Sequence, residues 1–237
     1  MWVITGSSGH LGEALVRVLR ERGEEVVGLD VLPGPTTTLV GSVTDPSAVA
    51  EAVRGADHVL HTATLHKPHV GSHGRQDFVA VNVTGTLTVL EQAAAAGVRS
   101  VVVTSSTSAF GRALTPAAGE PASWVTEDVP HRVRNIYGAT KTAAEDLAEL
   151  AARDGLPAVV LRSARFFPEA DDRDEVRSRW TDANLKAVEF LYRRVDLADL
   201  VDLHLLAATR APELGFGRYV ASATTPFTRG DRAELGR

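Results

Sequence analysis

Short runs of aliphatic and β-branched residues alternate along the chain with longer stretches in which apolar positions recur every three or four residues. The short runs fall at 2–5, 26–30, 38–40, 58–62, 101–104, 158–162 and 218–222. Each is too brief and too continuously apolar for an amphipathic helix, so each predicts a buried strand. Between them, Leu11, Leu15 and Leu19 mark the buried face of a helix that stops near Gly23. Asp45 and Pro46 suit the N-cap and first position of a second helix, which ends near Gly55. A long helix is expected from about Phe78 to Gly97, and another from about Tyr137 to near Gly155. This alternation predicts an α/β protein with a parallel sheet of about seven strands covered by helices on both faces. The stretch 113–134 is rich in Pro, Ala and Gly and has no period, which predicts a long loop of the kind that carries function.

Composition narrows the function classes. A chain of 237 residues that is 44% hydrophobic can bury one large core. Its net charge of -5, with no basic run, argues against nucleic acid as a partner. The absence of cysteine excludes disulfides, thiol nucleophiles and cysteine-ligated metals. No apolar run is long enough to span a bilayer, and the first residues lack the basic and apolar regions of a secretion signal, so a cytoplasmic protein without a membrane partner is expected. His58, His61, His66, His69 and His73 are dense, yet His58 and His61 face opposite sides of a strand and no carboxylate or cysteine accompanies them, so no metal site is expected. His66 and Lys67 are expected to line the crevice after the fourth strand.

The first chemical signal lies in ITGSSGHLGEALV. Gly6, Gly9 and Gly12 follow the first strand directly and open the first helix. Glycines there let the chain turn tightly and let backbone N–H groups approach a pyrophosphate, and the helix N-terminus adds its positive dipole end. Asp30 closes the second strand, where a carboxylate can accept both hydroxyls of a ribose. A carboxylate repels a 2′-phosphate, and Ser7, Ser8 and Val31 offer no basic partner for one, so NAD is favoured over NADP. The expected architecture is a Rossmann-type doubly wound sheet.

The spacing Gly6-Ser-Ser-Gly9-His-Leu-Gly12, together with Tyr137-Gly-Ala-Thr-Lys141, resembles the short-chain dehydrogenase/reductase superfamily. VNVTGT (81–86), VVVTSSTSAFG (101–111) and RVDLADLVDLH (194–204) look like its extended branch, the NAD-dependent epimerase/dehydratase family. The resemblance implies that Tyr137 is the catalytic acid/base, Lys141 its partner and Ser106 the hydroxyl that orients the substrate. It places the cofactor against Gly6, Ser8, Gly9, His10, Leu11, Gly12, Asp30, Ser42, Val43, Thr62, Ala63, Thr64, Asn82, Thr104, Tyr137 and Lys141. Asn82 is either structural support or part of a proton relay. Ser106, Thr107, Ser108, Arg165 and Arg173 are the implied substrate contacts, and a homodimer through the helices after strands four and five is implied as well.

Elementary electrostatics supports the pair. A free phenol has a pKa of about 10, and an ammonium about 4 Å away is worth on the order of 4 kcal/mol at an effective dielectric of about 20, enough to bring the phenol near 7. Positions four apart on a helix share a face. Other features bear on the substrate. Sugar-nucleotide dehydratases carry an acidic pair where Thr107 and Ser108 stand, and hydroxyls are poor general acids, so dehydration is disfavoured. Arg165 stands where sugar-nucleotide epimerases often carry asparagine, and Ser42 replaces an adenine-side aspartate.

About 30 residues separate the sixth strand from RVDLADL. The chain therefore reads as an NAD-binding core (1–162), an abbreviated C-terminal substrate-binding region (163–194), and a helix and strand that complete core and pocket (195–237). That shortness, with SARFFPEADDR and APELGFGRYVASATTPFTRGD (211–231), is similar to uronate dehydrogenases, which oxidise a free sugar acid. Arginines in 162–194 could grip a carboxylate there, or simply lie in a salt-bridged surface. The sequence ends at Arg237 within what reads as a helix begun after Thr228. The expected activity is hydride transfer at a carbinol carbon of a sugar or sugar-nucleotide-like substrate. Its alternatives are dehydrogenation of a free sugar acid and a non-catalytic NAD-binding regulatory module.

Overall fold

Every predicted strand forms, and all seven pair in parallel in one sheet of order β3-β2-β1-β4-β5-β6-β7. In this computed structural model, which describes residues 1–115, 117, 120, 123–166 and 194–224, the strands are β1 (Trp2–Thr5), β2 (Val26–Asp30), β3 (Leu39–Val40), β4 (His58–His61), β5 (Ser100–Ser106), β6 (Ala158–Ser163) and β7 (Phe216–Ala221). Arg173, most of 163–194 and the helix expected after Thr228 lie outside the described residues. The order reverses at β1, so the carboxyl ends of β1 and β4 flank a crevice of the type in which open α/β sheets bind ligands.

Alternate residues of each strand feed two cores. Ile4, Leu60, Val102 and Val159 point to one face, where they meet α1 (His10–Glu21) and α6 (Leu197–Leu214) through Leu11, Leu15, Leu200 and Val201. Val3, Val59, Val101, Val103 and Val160 point to the other, covered by α2 (Pro46–Ala52), α4 (Gly85–Ala95) and α5 (Ile136–Arg153). Burial on both faces explains why the strands read as unbroken apolar runs. Asp45 caps α2 as expected, its carboxylate accepting from Ser47 N at 2.9 Å, with Pro46 first in the helix.

Some boundaries differ from expectation. β7 begins at Phe216 rather than 218, because Gly215, at φ 69°, turns the chain straight from α6 into the strand. The single helix expected over 78–97 is three pieces: α3 (Arg75–Val79), a π-helical turn (Ala80–Thr84) and α4. The turn centres on Asn82, whose side chain is buried and hydrogen-bonded on every side. Among the described residues, no helix is long and apolar enough to cross a membrane.

Candidate active site

The glycine turn is shaped by contacts that a side chain would prevent. Gly6 has φ 72°, and a Cβ there would lie 2.7 Å from Ala63 N. At Gly12 a Cβ would fall 2.0 Å from Gly6 O. The backbone of β1, the turn and α1 therefore pack directly on one another. No side chain caps α1 at Gly9, so the first-turn N–H groups of Leu11 and Gly12 stay available to an anion. The Leu11 side chain itself is core, and His10 is exposed.

Asp30, at the end of β2, accepts from Ser8 N at 2.9 Å and from Leu32 N at 2.9 Å, one bond to each carboxylate oxygen. Each oxygen keeps a lone-pair direction for a ligand hydroxyl, and the bond to Ser8 ties the carboxylate to the glycine turn. Thr62 donates to Thr5 O at 2.7 Å, and Ala63 N donates to the Thr5 hydroxyl at 3.3 Å, closing the other wall of the crevice. Ser42 pairs with Thr44 at 2.8 Å and Val43 packs against Gly85, so both shape the turn between β3 and α2.

Asn82 is a clamp. Its Oδ1 accepts from Leu65 N at 2.8 Å and Thr64 Oγ1 at 3.0 Å, while Nδ2 donates to Leu65 O at 2.9 Å and to Thr140 Oγ1 at 3.0 Å. One amide thus fixes the loop after β4 to α5. Beneath it, Thr86 donates to Asn82 O at 2.7 Å, which obliges His61 Nε2–H to donate to Thr86 at 3.0 Å and leaves Nδ1 to accept from Thr5 at 2.7 Å. Burial lowers His61 to about 3, so it is neutral. His58 instead stacks on Trp2 at 4.4 Å and bonds Ser100 at 2.7 Å, and His66 N donates to His69 Nδ1 at 3.0 Å in the 3₁₀ turn after β4.

Tyr137 and Lys141 lie on the first turns of α5, which Asn135 starts by accepting from Gly138 N at 2.9 Å. Gly138 sits where a Cβ would come 2.7 Å from Ser108 O, so its bare backbone lets α5 approach the turn that follows β5. Ser106 ends β5, and its Oγ accepts from Ser108 N at 3.1 Å, leaving its own proton for the neighbourhood of the Tyr137 phenol, which it pulls down. Lys141 Nζ donates to Thr104 O at 2.5 Å. On the far side, His204 Nδ1 donates to Leu200 O at 2.7 Å, so Nε2 accepts from Thr104 Oγ1 at 2.8 Å.

The structure thus brings Ser106, Tyr137, Lys141 and Thr104 together at the carboxyl edge of the sheet. It does not show the lysine lowering the phenol as expected. Burial pushes Tyr137 up to about 12, against the pull of Ser106, and burial brings Lys141 down to about 8, partly opposed by Glu145. Both groups have lost water, and the ammonium is turned to the Thr104 carbonyl, so desolvation outweighs attraction. Arg165 lies just past β6, where its carbonyl accepts from Val195 N at 3.0 Å and its backbone bridges Arg194. Reading the sequence missed Asn135, Thr140, Glu145 and His204, and it offered Arg162 among the arginines for a substrate carboxylate, whereas Arg162 is taken by Glu145. Only the cap and the four-residue step to Glu145 leave a local signal.

Comparison with known proteins places the fold in a family. The model of the NAD dependent epimerase/dehydratase family matches residues 2–213, and the chain belongs to that family. A short-chain dehydrogenase/reductase superfamily protein from Agrobacterium tumefaciens, solved with bound NAD, is 28% identical at a TM-score of 0.77, covering 99% of this chain and 80% of that one. Sterol demethylase protein B of Methylococcus capsulatus is 30% identical over 86% of this chain, which spans 65% of it, just under two thirds of its length. UDP-glucose 4-epimerase of Streptomyces lividans is 29% identical over 89% of this chain and 72% of that protein.

Proposed function

We propose that the protein is an NAD-dependent oxidoreductase that transfers hydride at a secondary carbinol carbon of a sugar or sugar-nucleotide-like substrate. The observation that carries this is the convergence of Tyr137, Ser106 and Lys141 at the carboxyl edge of β5, beside the crevice lined by the glycine turn and Asp30. Gly6, Gly9 and Gly12 would hold the pyrophosphate, Asp30 a ribose, and Lys141 the second ribose. NAD, when bound, supplies the hydride acceptor and positive charge that the site's own groups do not provide.

Tyr137 takes the hydroxyl proton in oxidation and returns it in reduction. Ser106 holds the substrate oxygen, and its hydrogen bond favours the phenolate. Lys141, at about 8, is still largely an ammonium at neutral pH. Thr107 and Ser108 supply no acid for elimination, which supports oxidation or epimerisation over dehydration. The abbreviated segment 163–194 would confer substrate choice. The protein would work in the cytoplasm as a homodimer, for which exposed Leu87 on α4 and Leu150 on α5 offer apolar surface.

The sterol relative favours a second reading, in which the carbinol belongs to a sterol. Incubating the purified protein and NAD with sugar nucleotides, free sugar acids and hydroxysteroids separates these. NADH or an epimer from one class is expected and names the substrate. NAD binding with neither product from any class would replace the enzyme by a non-catalytic NAD-binding module.

A further inference from the structure

Tyr137, Lys141 and Glu145 recur every four residues on one buried face of α5. The first two meet the crevice, while Glu145 lies one turn deeper and is 1% exposed. Its carboxylate accepts from Arg162 Nε at 3.1 Å and Nη2 at 2.8 Å, and from the Ser105 hydroxyl. Ser105 stands between Thr104, whose carbonyl receives the Lys141 ammonium, and Ser106. The carboxylate is thus fastened to the one strand residue whose two neighbours both serve the site.

The grip on Glu145 is itself braced. Arg162, on β6, donates to Glu127 O at 3.1 Å and lies over the Phe110 ring at 4.8 Å. Ser163 donates to Ser105 O at 3.0 Å. Arg218, on β7, approaches the carboxylate at 3.7 Å but is itself held by Asp146 at 2.9 Å and Glu149 at 2.8 Å. A salt bridge serving the core alone would need only Arg162. Here the same carboxylate also holds β5 and stands one helical turn from the buried ammonium.

We propose that Glu145 is a positioning residue for the Tyr137–Lys141 pair, its carboxylate holding Lys141 in register with β5 and in its charged form. Among the described residues, the groups that act on Lys141 from its surroundings are few. His61 on β4 is neutral, His66 after β4 is lowered to about 4 by burial, and His204 on α6 is lowered to about 4 and bonded to Thr104 and Leu200 O. Tyr137 is a neutral phenol, so Glu145 is the charge that opposes the effect of burial on Lys141. The importance of that ammonium rests on the proposed oxidoreductase reading.

The test needs no substrate, so an absence of turnover and an absence of this coupling are separate results. The chain has three lysines, Lys67, Lys141 and Lys186, so carbon-13 labelling of lysine yields few signals to follow by NMR. The signal missing from Lys141→Arg is that of Lys141. In Glu145→Gln, which keeps an acceptor for Ser105, the Lys141 midpoint is expected to fall by about one pH unit or more. An unchanged midpoint in the folded variant overturns the proposal. If that variant does not fold, Glu145→Gln/Arg162→Met removes both members of the pair and leaves neither unpaired, a change buried pairs often tolerate. A smaller fall is expected there, because the Arg162 cation is lost with the carboxylate, and an unchanged midpoint overturns the proposal.

Discussion

Asp30 illustrates how one side chain can serve the fold and a ligand together. Its oxygens already accept from Ser8 N and Leu32 N, so it orders the glycine turn, and its remaining lone pairs are those that the proposed ribose would take. Asp30→Ala should weaken NAD binding about tenfold or more and narrow the preference for NAD over NADP, as read by calorimetric titration with each. An unaltered ratio would show that Asp30 does not choose the cofactor. This residue was legible in the sequence because the end of the second strand after a glycine turn is a fixed address. The ionisation of Tyr137 was not, since spacing places two residues on one helix face but does not say where the ammonium points. The partner of Arg162 was equally hidden, because a charge within a strand shows no sign of the buried carboxylate 17 residues before it.

At the scale of elements, the proposed catalytic geometry depends on how closely α5 approaches β5. Gly138 permits that approach, Asn135 starts the helix and Asn82 braces Thr140 from the π-helical turn. Gly138→Ala would force α5 away from Ser108. The expected result is a fall in turnover of roughly a hundredfold with NAD affinity kept within a few fold, because the displacement is at Tyr137 and not at the glycine turn. Turnover at the original rate would show that the site tolerates the shift. Helix existence was readable from apolar period, whereas the π turn was not, for one extra residue in a helical turn hardly disturbs a pattern of threes and fours. The start of β7 was obscured because Phe216-Gly217 carries little strand signature.

Across the molecule, the sheet separates two cores that each bury a neutral histidine, His61 under α4 and His204 under α6. Burial lowers them to about 3 and about 4. Between those values and the unfolded value of about 6.5 the unfolded chain binds more protons, so stability falls as pH falls through that window. Each histidine should remove on the order of 2 kcal/mol between pH 7 and pH 5. Lower urea midpoints at pH 5 than at pH 7 check this, and equal midpoints would contradict it. Lys141 has the same sign at higher pH: the unfolded chain keeps its proton between about 8 and about 10.5, so its burial penalty is relieved and stability rises as pH rises there.

The whole arrangement, crevice and acid/base together, stands or falls with Tyr137. The most direct measurement compares the protein with Tyr137→Phe, reading NAD affinity and the conversion of whichever carbinol substrate the panel reveals. The account predicts NAD affinity within a few fold and turnover reduced by about a hundredfold or more. Turnover equal to that of the unchanged protein would contradict it.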